Sequence, residues 1–237
     1  MASYRIEKAI DQNDLARKAS QLIASHIDLA LDERERAQIA LSGGSSPQAT
    51  YRLLGKEHLP WDRVDVCLGD ERWVDQSDKA SNSGMLNRTL LASRPGSSCR
   101  FHATPTIECS NPKESAIAFS NTLNQICSGK PPVFDLILLG LGDDGHTASL
   151  FPYSEALNIK DLWVTCCHAN GHDRITLTFP VLSAARKIIF LVSGSSKQVA
   201  LKRLINPNES IIRTPAKLVQ PESEILILAD EDAASFS

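Results

Sequence analysis

No run of apolar residues in the chain approaches the ~18 that a membrane-spanning helix needs. The opening residues, Met1-Ala-Ser-Tyr-Arg-Ile-Glu-Lys8, hold nothing like the apolar centre of a secretory signal. Six cysteines, at 67, 99, 109, 127, 166 and 167, include no C-x-x-C pair. Several lie in apolar runs, as small buried thiols do, which favours a reducing compartment over a disulfide framework. A cytoplasmic protein is the expectation. A surplus of positive charge is missing too: 25 Lys and Arg against 28 Asp and Glu leave −3. That offers no global field for nucleic acid or an anionic membrane, so any anion site must be built locally. Histidines at metal-ligand spacing are absent, with His168 and His172 flanking a turn, and no metal is expected. There is no Gly-x-Ser-x-Gly, hence no nucleophile elbow for a serine-esterase route. Repeats, low-complexity segments and convincing linkers are also lacking.

What is present reads as a soluble α/β chain. Hydrophobic residues at 42% and charged residues at 22% of 237 suffice for a real core, in one domain or two small ones. Leu136 to Leu139 is a continuous apolar run, which suits a strand buried on both faces of a parallel sheet. Ala37–Leu41, Val64–Leu68, Lys187–Val192 and Glu224–Ala229 read the same way. Helical spacing links Leu15, Ala19, Leu22, Ile23, Ile27 and Ala30 behind a cap at Asp11 or Asn13. Further helices are expected from Pro47, from Ser81 or Asn82, from Asn111-Pro112 and through Val199–Leu204. Residues 4–10 and 100–103 suggest short strands, and Leu162–Cys167 and Arg174–Phe179 two more around a turn at 168–172. A single α/β domain over 1–237 is the simplest division, with a possible small excursion at 152–182.

Four of the apolar strands end in Ser42-Gly-Gly, Gly69-Asp-Glu-Arg, Gly142-Asp-Asp-Gly-His and Ser193-Gly-Ser-Ser-Lys. A parallel sheet brings such ends to one edge, where small molecules bind. Strand, glycine-serine loop and helix start around Gly43, Gly44 and Ser45 form the recipe for an anion cradle, although Gly-Gly turns are common. His146 stands two positions after Asp144, which is placed to accept its ring N–H and fix its tautomer, as an orienter does for a base. A lone loop histidine is otherwise a solvated or capping residue, and His26 and His58 are read that way. Cradle, Arg72 and Lys197 describe a phosphate site, while Asp70, Asp144 and His146 describe proton transfer. The expected partner is a phosphorylated small molecule undergoing acid–base chemistry.

Leu41-Ser-Gly-Gly-Ser-Ser-Pro47, Gly69-Asp-Glu-Arg-Trp-Val74 with Ser81-Asn-Ser-Gly-Met85, and Gly140-Leu-Gly-Asp-Asp-Gly-His-Thr-Ala-Ser-Leu-Phe-Pro152 resemble the 6-phosphogluconolactonases. Arg174-Ile-Thr-Leu-Thr-Phe-Pro-Val-Leu182 and Ser193-Gly-Ser-Ser-Lys197 complete the resemblance, which spans nearly the whole chain. It implies a Rossmann-like, mainly parallel sheet flanked by helices, shared with glucosamine-6-phosphate deaminases. It also implies hydrolysis of a phosphorylated sugar lactone in the oxidative pentose phosphate pathway, without metal or organic cofactor. On this resemblance His146 is the general base and Asp144 its orienter. Arg72, Arg174 and Lys197 hold phosphate and developing negative charge, Gly43, Gly44 and Ser45 supply the cradle, and Asp70 binds sugar hydroxyls or orders the basic residues. Asp143 is assigned no role. A monomer is favoured. A deaminase-isomerase and a non-catalytic sugar-phosphate-binding module stay open as alternatives. The first should carry an acid five residues after the loop histidine, where this chain has Phe151; the second should have lost His146.

Overall fold

Each apolar run becomes a strand, and the strands lie parallel because helices carry the chain back between them. The computed structural model describes residues 2–235 and begins with β1 (Tyr4–Ala9), α1 (Gln12–Glu33), β2 (Ala37–Leu41) and α2 (Gln48–Leu54). β3 (Val64–Leu68), β4 (Asp70–Arg72), α3 (Asn82–Asn87), β5 (Arg100–Phe101) and α4 (Pro112–Ile126) follow. The second half holds β6 (Leu136–Gly140), β7 (Val164–Ala169), β8 (His172–Leu177), α5 (Phe179–Ala184), β9 (Ile188–Val192), α6 (Gln198–Ile205), β10 (Ile225–Asp230) and α7 (Glu231–Ala234). Met1, Phe236 and Ser237 of the expected 1–237 unit lie outside the described residues.

Seven strands form one parallel sheet in the order β1-β10-β9-β6-β2-β3-β5, the Rossmann-like α/β arrangement expected. Alternate residues of β6 feed two cores. Ile137 and Leu139 pack with Phe119 and Leu123 of α4 and Leu201 and Leu204 of α6. Leu136 and Leu138 pack with Ile23 and Ile27 of α1 and Tyr51 and Leu54 of α2. Asp11 caps α1, its Oδ1 accepting from the N–H groups of Asn13 and Asp14 at 2.9 and 2.8 Å. No helix among the described residues is long and apolar enough to cross a membrane.

The sequence reading misses a second sheet. β4, β8 and β7 form an antiparallel ribbon in that order. Asp-Glu-Arg has no hydrophobic alternation to announce a strand, and its partner lies about a hundred residues further on. The excursion expected at 152–182 is therefore not self-contained, since its hairpin borrows residues 70–72 from an earlier loop. Its turn is also tighter than expected. Only Asn170 and Gly171 turn, at φ 52° and 76°, so His168 and His172 fall inside the strands. The helix expected from Pro47 is short, seven residues with Pro47 at its N-cap, and contributes little dipole.

Polar residues clamp the amino ends of the strands. Buried Asp65 of β3 accepts from Arg36 Nε at 2.7 Å and meets His102 Nε2 at 2.8 Å. Burial pushes the Asp65 carboxyl up, but hydrogen bonds and charge from His102 and Arg36 outweigh it and hold it at about 2. A depressed folded-state value contributes stability above the unfolded-state value of ~3.9 that disappears as pH falls through the folded one. The urea midpoint should therefore fall more steeply between about pH 4 and pH 2 in the unaltered protein than in Asp65→Asn. Equal falls in both would contradict this origin of acid sensitivity.

Candidate active site

After β2 the chain runs outward through β3 and β5, then returns to β6 on the other side of β2 and continues outward through β9 and β10. Neighbours β2 and β6 thus send their connections in opposite directions, which opens a crevice at their carboxyl ends. A cleft of about 220 Å³ occupies it. Gly43, Gly44 and Ser45 line it from the β2 loop, Asp70 and Arg72 from β4, His146 from the β6 loop, Arg174 from β8 and Lys197 from the turn after β9. Of the residues expected there, only Asp144 does not line it; it meets the cleft through its hydrogen bond with His146.

Asp144 Oδ1 accepts both the ring Nδ1–H of His146 at 2.6 Å and its backbone N–H at 3.0 Å. With a carboxylate at Nδ1, the neutral ring carries its proton there, and Nε2 keeps a lone pair without a protein partner among the described residues. Burial pushes the Asp144 carboxyl up, and the hydrogen bonds from His146 overcome this and hold it below the usual carboxylate range. Gly142 is required by this geometry: a Cβ there would lie 2.0 Å from His146 Nδ1. Phe151 packs on the imidazole with ring centroids 4.3 Å apart, and the Arg174 guanidinium lies 5.4 Å from the Phe151 centroid.

The cations are held less symmetrically. Register sets Arg72 directly opposite Arg174 across the β4–β8 ladder, a placement unfavourable for like charges unless an anion joins them. Burial first, and the Arg72 charge second, hold the Arg174 guanidinium below its usual value, with Asp70 opposing. Asp70 Oδ2 lies 3.8 Å from Arg174 and accepts the Ser149 hydroxyl at 2.5 Å. The Arg72 guanidinium donates to Ala80 O at 2.6 Å, while its buried Nε has no partner among the described residues. Lys197 Nζ lies 2.5 Å from Asp143 Oδ1, which gives Asp143 a contact that the sequence reading did not assign.

Several further residues support the site. Asp230, 1% exposed, accepts from Ser193 Oγ at 2.6 Å and Gly194 N at 3.0 Å, fixing the loop that leads to Lys197. It follows the apolar run 225–229 as the acids of the other loops follow theirs, a signal available in the sequence. Asn82 Nδ2 donates to Asp70 O at 2.9 Å, and its side chain fills the space beside Gly43. Nothing in the local sequence marks that contact. Among the described residues no group of three or more His, Cys, Asp or Glu is placed to hold a metal ion.

Residues 10–228 match the family described as glucosamine-6-phosphate isomerases/6-phosphogluconolactonase. The chain is 37% identical over 233 residues to the 6-phosphogluconolactonase of Nostoc sp., covering 97% of each chain. The crystal structure of a 6-phosphogluconolactonase from Shewanella baltica superposes with a TM-score of 0.85 at 26% identity, covering 97% of this chain and 98% of that one. A monomeric glucosamine-6-phosphate deaminase shares the fold, with a TM-score of 0.81 at 20% identity over 98% of this chain and all of that one.

The close approach at Gly43 can be tested without any ligand. A Cβ there would lie 2.1 Å from Asn82 Oδ1, whereas one at Gly140 meets nothing within 4 Å. Gly43→Ala should cost about 1–3 kcal/mol in urea unfolding, and Gly140→Ala within ~0.5 kcal/mol of nothing. Equal costs would contradict the packing described.

Proposed function

The chain belongs to the glucosamine-6-phosphate isomerase/6-phosphogluconolactonase family, and within it we propose that it hydrolyses 6-phospho-D-glucono-1,5-lactone to 6-phospho-D-gluconate in the oxidative pentose phosphate pathway. The observation that carries this is the 2.6 Å bond that His146 Nδ1–H donates to Asp144, which leaves Nε2 as acceptor beside a cleft lined by three cations. A water between Nε2 and the lactone carbonyl loses its proton to Nε2 as it attacks C1. Asp144 stabilises the imidazolium that forms. Arg174, lying over the Phe151 ring that packs on His146, takes the charge of the tetrahedral oxyanion. Collapse breaks the C1–ring oxygen bond, and the imidazolium returns the proton to the departing alkoxide. A δ-lactone is already an activated ester, so base and charge stabilisation suffice and no metal or cofactor enters.

Lys197, Arg72 and the Gly43–Ser45 loop take the phosphate. Asp70, already engaged by Ser149 and Arg174, orders the cations rather than serving as a base. The deaminase alternative finds no support at Phe151, which packs on the base and cannot move a proton. The intact His146–Asp144 pair argues against a purely binding module. The reading carries with it a cytoplasmic monomer acting on a small molecule, with no role for nucleic acid or membrane.

His146→Gln should lower kcat by about 10²–10⁴-fold with the fold retained, measured as acid release above the spontaneous rate. Near-unaltered turnover would remove His146 from the role of base. Phosphate contacts are made before and during reaction alike, so Lys197→Ala should raise KM more than it lowers kcat. Because Asp143 already competes for Lys197 in the free protein, the loss in kcat/KM should lie near the low end of about 10- to 150-fold. Unphosphorylated gluconolactone should lose nothing; an equal loss on both substrates would show that Lys197 does not serve the phosphate.

A further inference from the structure

The proposed hydrolysis gives Glu71 no task, although it stands between Asp70 and Arg72. Its side chain turns away from the cleft and is 1% exposed. Among the described residues it pairs with no Lys or Arg. Instead the carboxylate accepts the backbone N–H groups of Arg72 at 2.8 Å, Asn82 at 2.8 Å and Ser83 at 2.7 Å, with the Ser81 hydroxyl at 3.5 Å. Burying a carboxylate without a countercharge is costly unless such donors converge on it.

The groups it gathers belong to two elements, β4 and α3. Arg72 is the end of β4, and Ser81 to Ser83 are the cap and first residues of α3. From α3 the linkage continues outward. Asn82 donates its side-chain N–H to Asp70 O at 2.9 Å and fills the space in which a Gly43 Cβ would lie. The guanidinium of Arg72 donates to Ala80 O at 2.6 Å, one residue before the α3 cap. The segment before that cap presses on α3 at Gly84, where a Cβ would come within 2.4 Å of Gln76 O. One buried carboxylate thus sets the position of the cradle at Gly43 and of the Arg72 guanidinium together. His146, Asp144 and Phe151 ride on the β6 loop and share no hydrogen bond with Glu71 or α3.

We propose that Glu71 is a positioning residue for the phosphate side of the cleft, holding β4 to the start of α3 so that the Gly43–Ser45 loop and Arg72 converge on the same anion. The proposal rests on the phosphate-binding part of the functional reading above. It places the effect of Glu71 on anion affinity and not on proton transfer, a division that a merely structural carboxylate would not produce.

Glu71→Gln keeps the volume and one acceptor oxygen but turns the other into a donor facing backbone N–H groups. Two readouts on the full chain decide the matter: kcat and KM for the phosphorylated lactone, and the rise in melting temperature produced by inorganic phosphate. KM should rise about 10-fold or more while kcat stays within about 3-fold, and most of the phosphate-induced rise should vanish. A variant that melts earlier yet keeps the KM and the phosphate response of the unaltered protein would overturn the proposal, as would a fall in kcat alone. If Glu71→Gln does not fold, Asn82→Ala decides, because it cuts the link from α3 to Asp70 and Gly43 while leaving Glu71 in place. It should show the same KM and phosphate defects, and their absence would equally overturn the proposal. An unaltered protein that phosphate stabilises but that fails to open the lactone would refute the hydrolase reading and leave Glu71 to be judged on the phosphate response. An unaltered protein indifferent to phosphate would overturn both.

Discussion

The site depends on a reversal of chain direction across one pair of parallel strands. β2 and β6 are hydrogen-bonded neighbours, yet the loops at their carboxyl ends lead to opposite edges of the sheet. The divergence of the two loops leaves a cleft there. The same geometry separates duties. The β2 side brings the Gly43–Ser45 loop to the cleft, and the β6 side brings the imidazole. β4 and β8 then close the cleft as an antiparallel ribbon, contributing Arg72 and Arg174 as direct cross-strand partners.

Placement of charge follows from the modest overall balance of −3. With no general positive field, each cation must be positioned individually, and acidic groups do most of that positioning. Asp70 faces Arg174, Asp143 holds Lys197, and Asp230 fixes the loop from which Lys197 extends. Asp144 does the equivalent for the neutral imidazole. These acids keep the cations oriented when no substrate is bound, and two of them, Asp70 and Asp230, are buried. Pairs left open to solvent, such as Lys197 with Asp143, contribute little to stability.

The parallel sheet and the residues of the cleft were legible because their signals are local. Apolar runs at 37–41, 64–68, 136–139 and 187–192 give strands by pattern, and a parallel sheet necessarily gathers their polar ends. The β4 ribbon was not legible, since Asp70-Glu-Arg72 pairs with 174–176 through contacts that no short window contains. The same limit hid Asn82 beside Gly43 and Ser149 on Asp70. Asp230 is different: it directly follows the last apolar run, so its position is marked in the sequence, but its bond to the Ser193 loop joins segments 37 residues apart. Gly43 lines the cleft as the cradle reading requires, and the space left by its missing side chain is filled by Asn82, a contact no local pattern signals.

The most direct measurement is acid release from freshly generated 6-phospho-D-glucono-1,5-lactone, compared with the spontaneous rate in buffer, with ammonia release from glucosamine 6-phosphate followed in parallel. Saturable acceleration of lactone opening without ammonia is the result that a water-activating imidazole beside a phosphate site requires. Lactone that disappears no faster than in buffer, or ammonia released at a comparable rate, would contradict it.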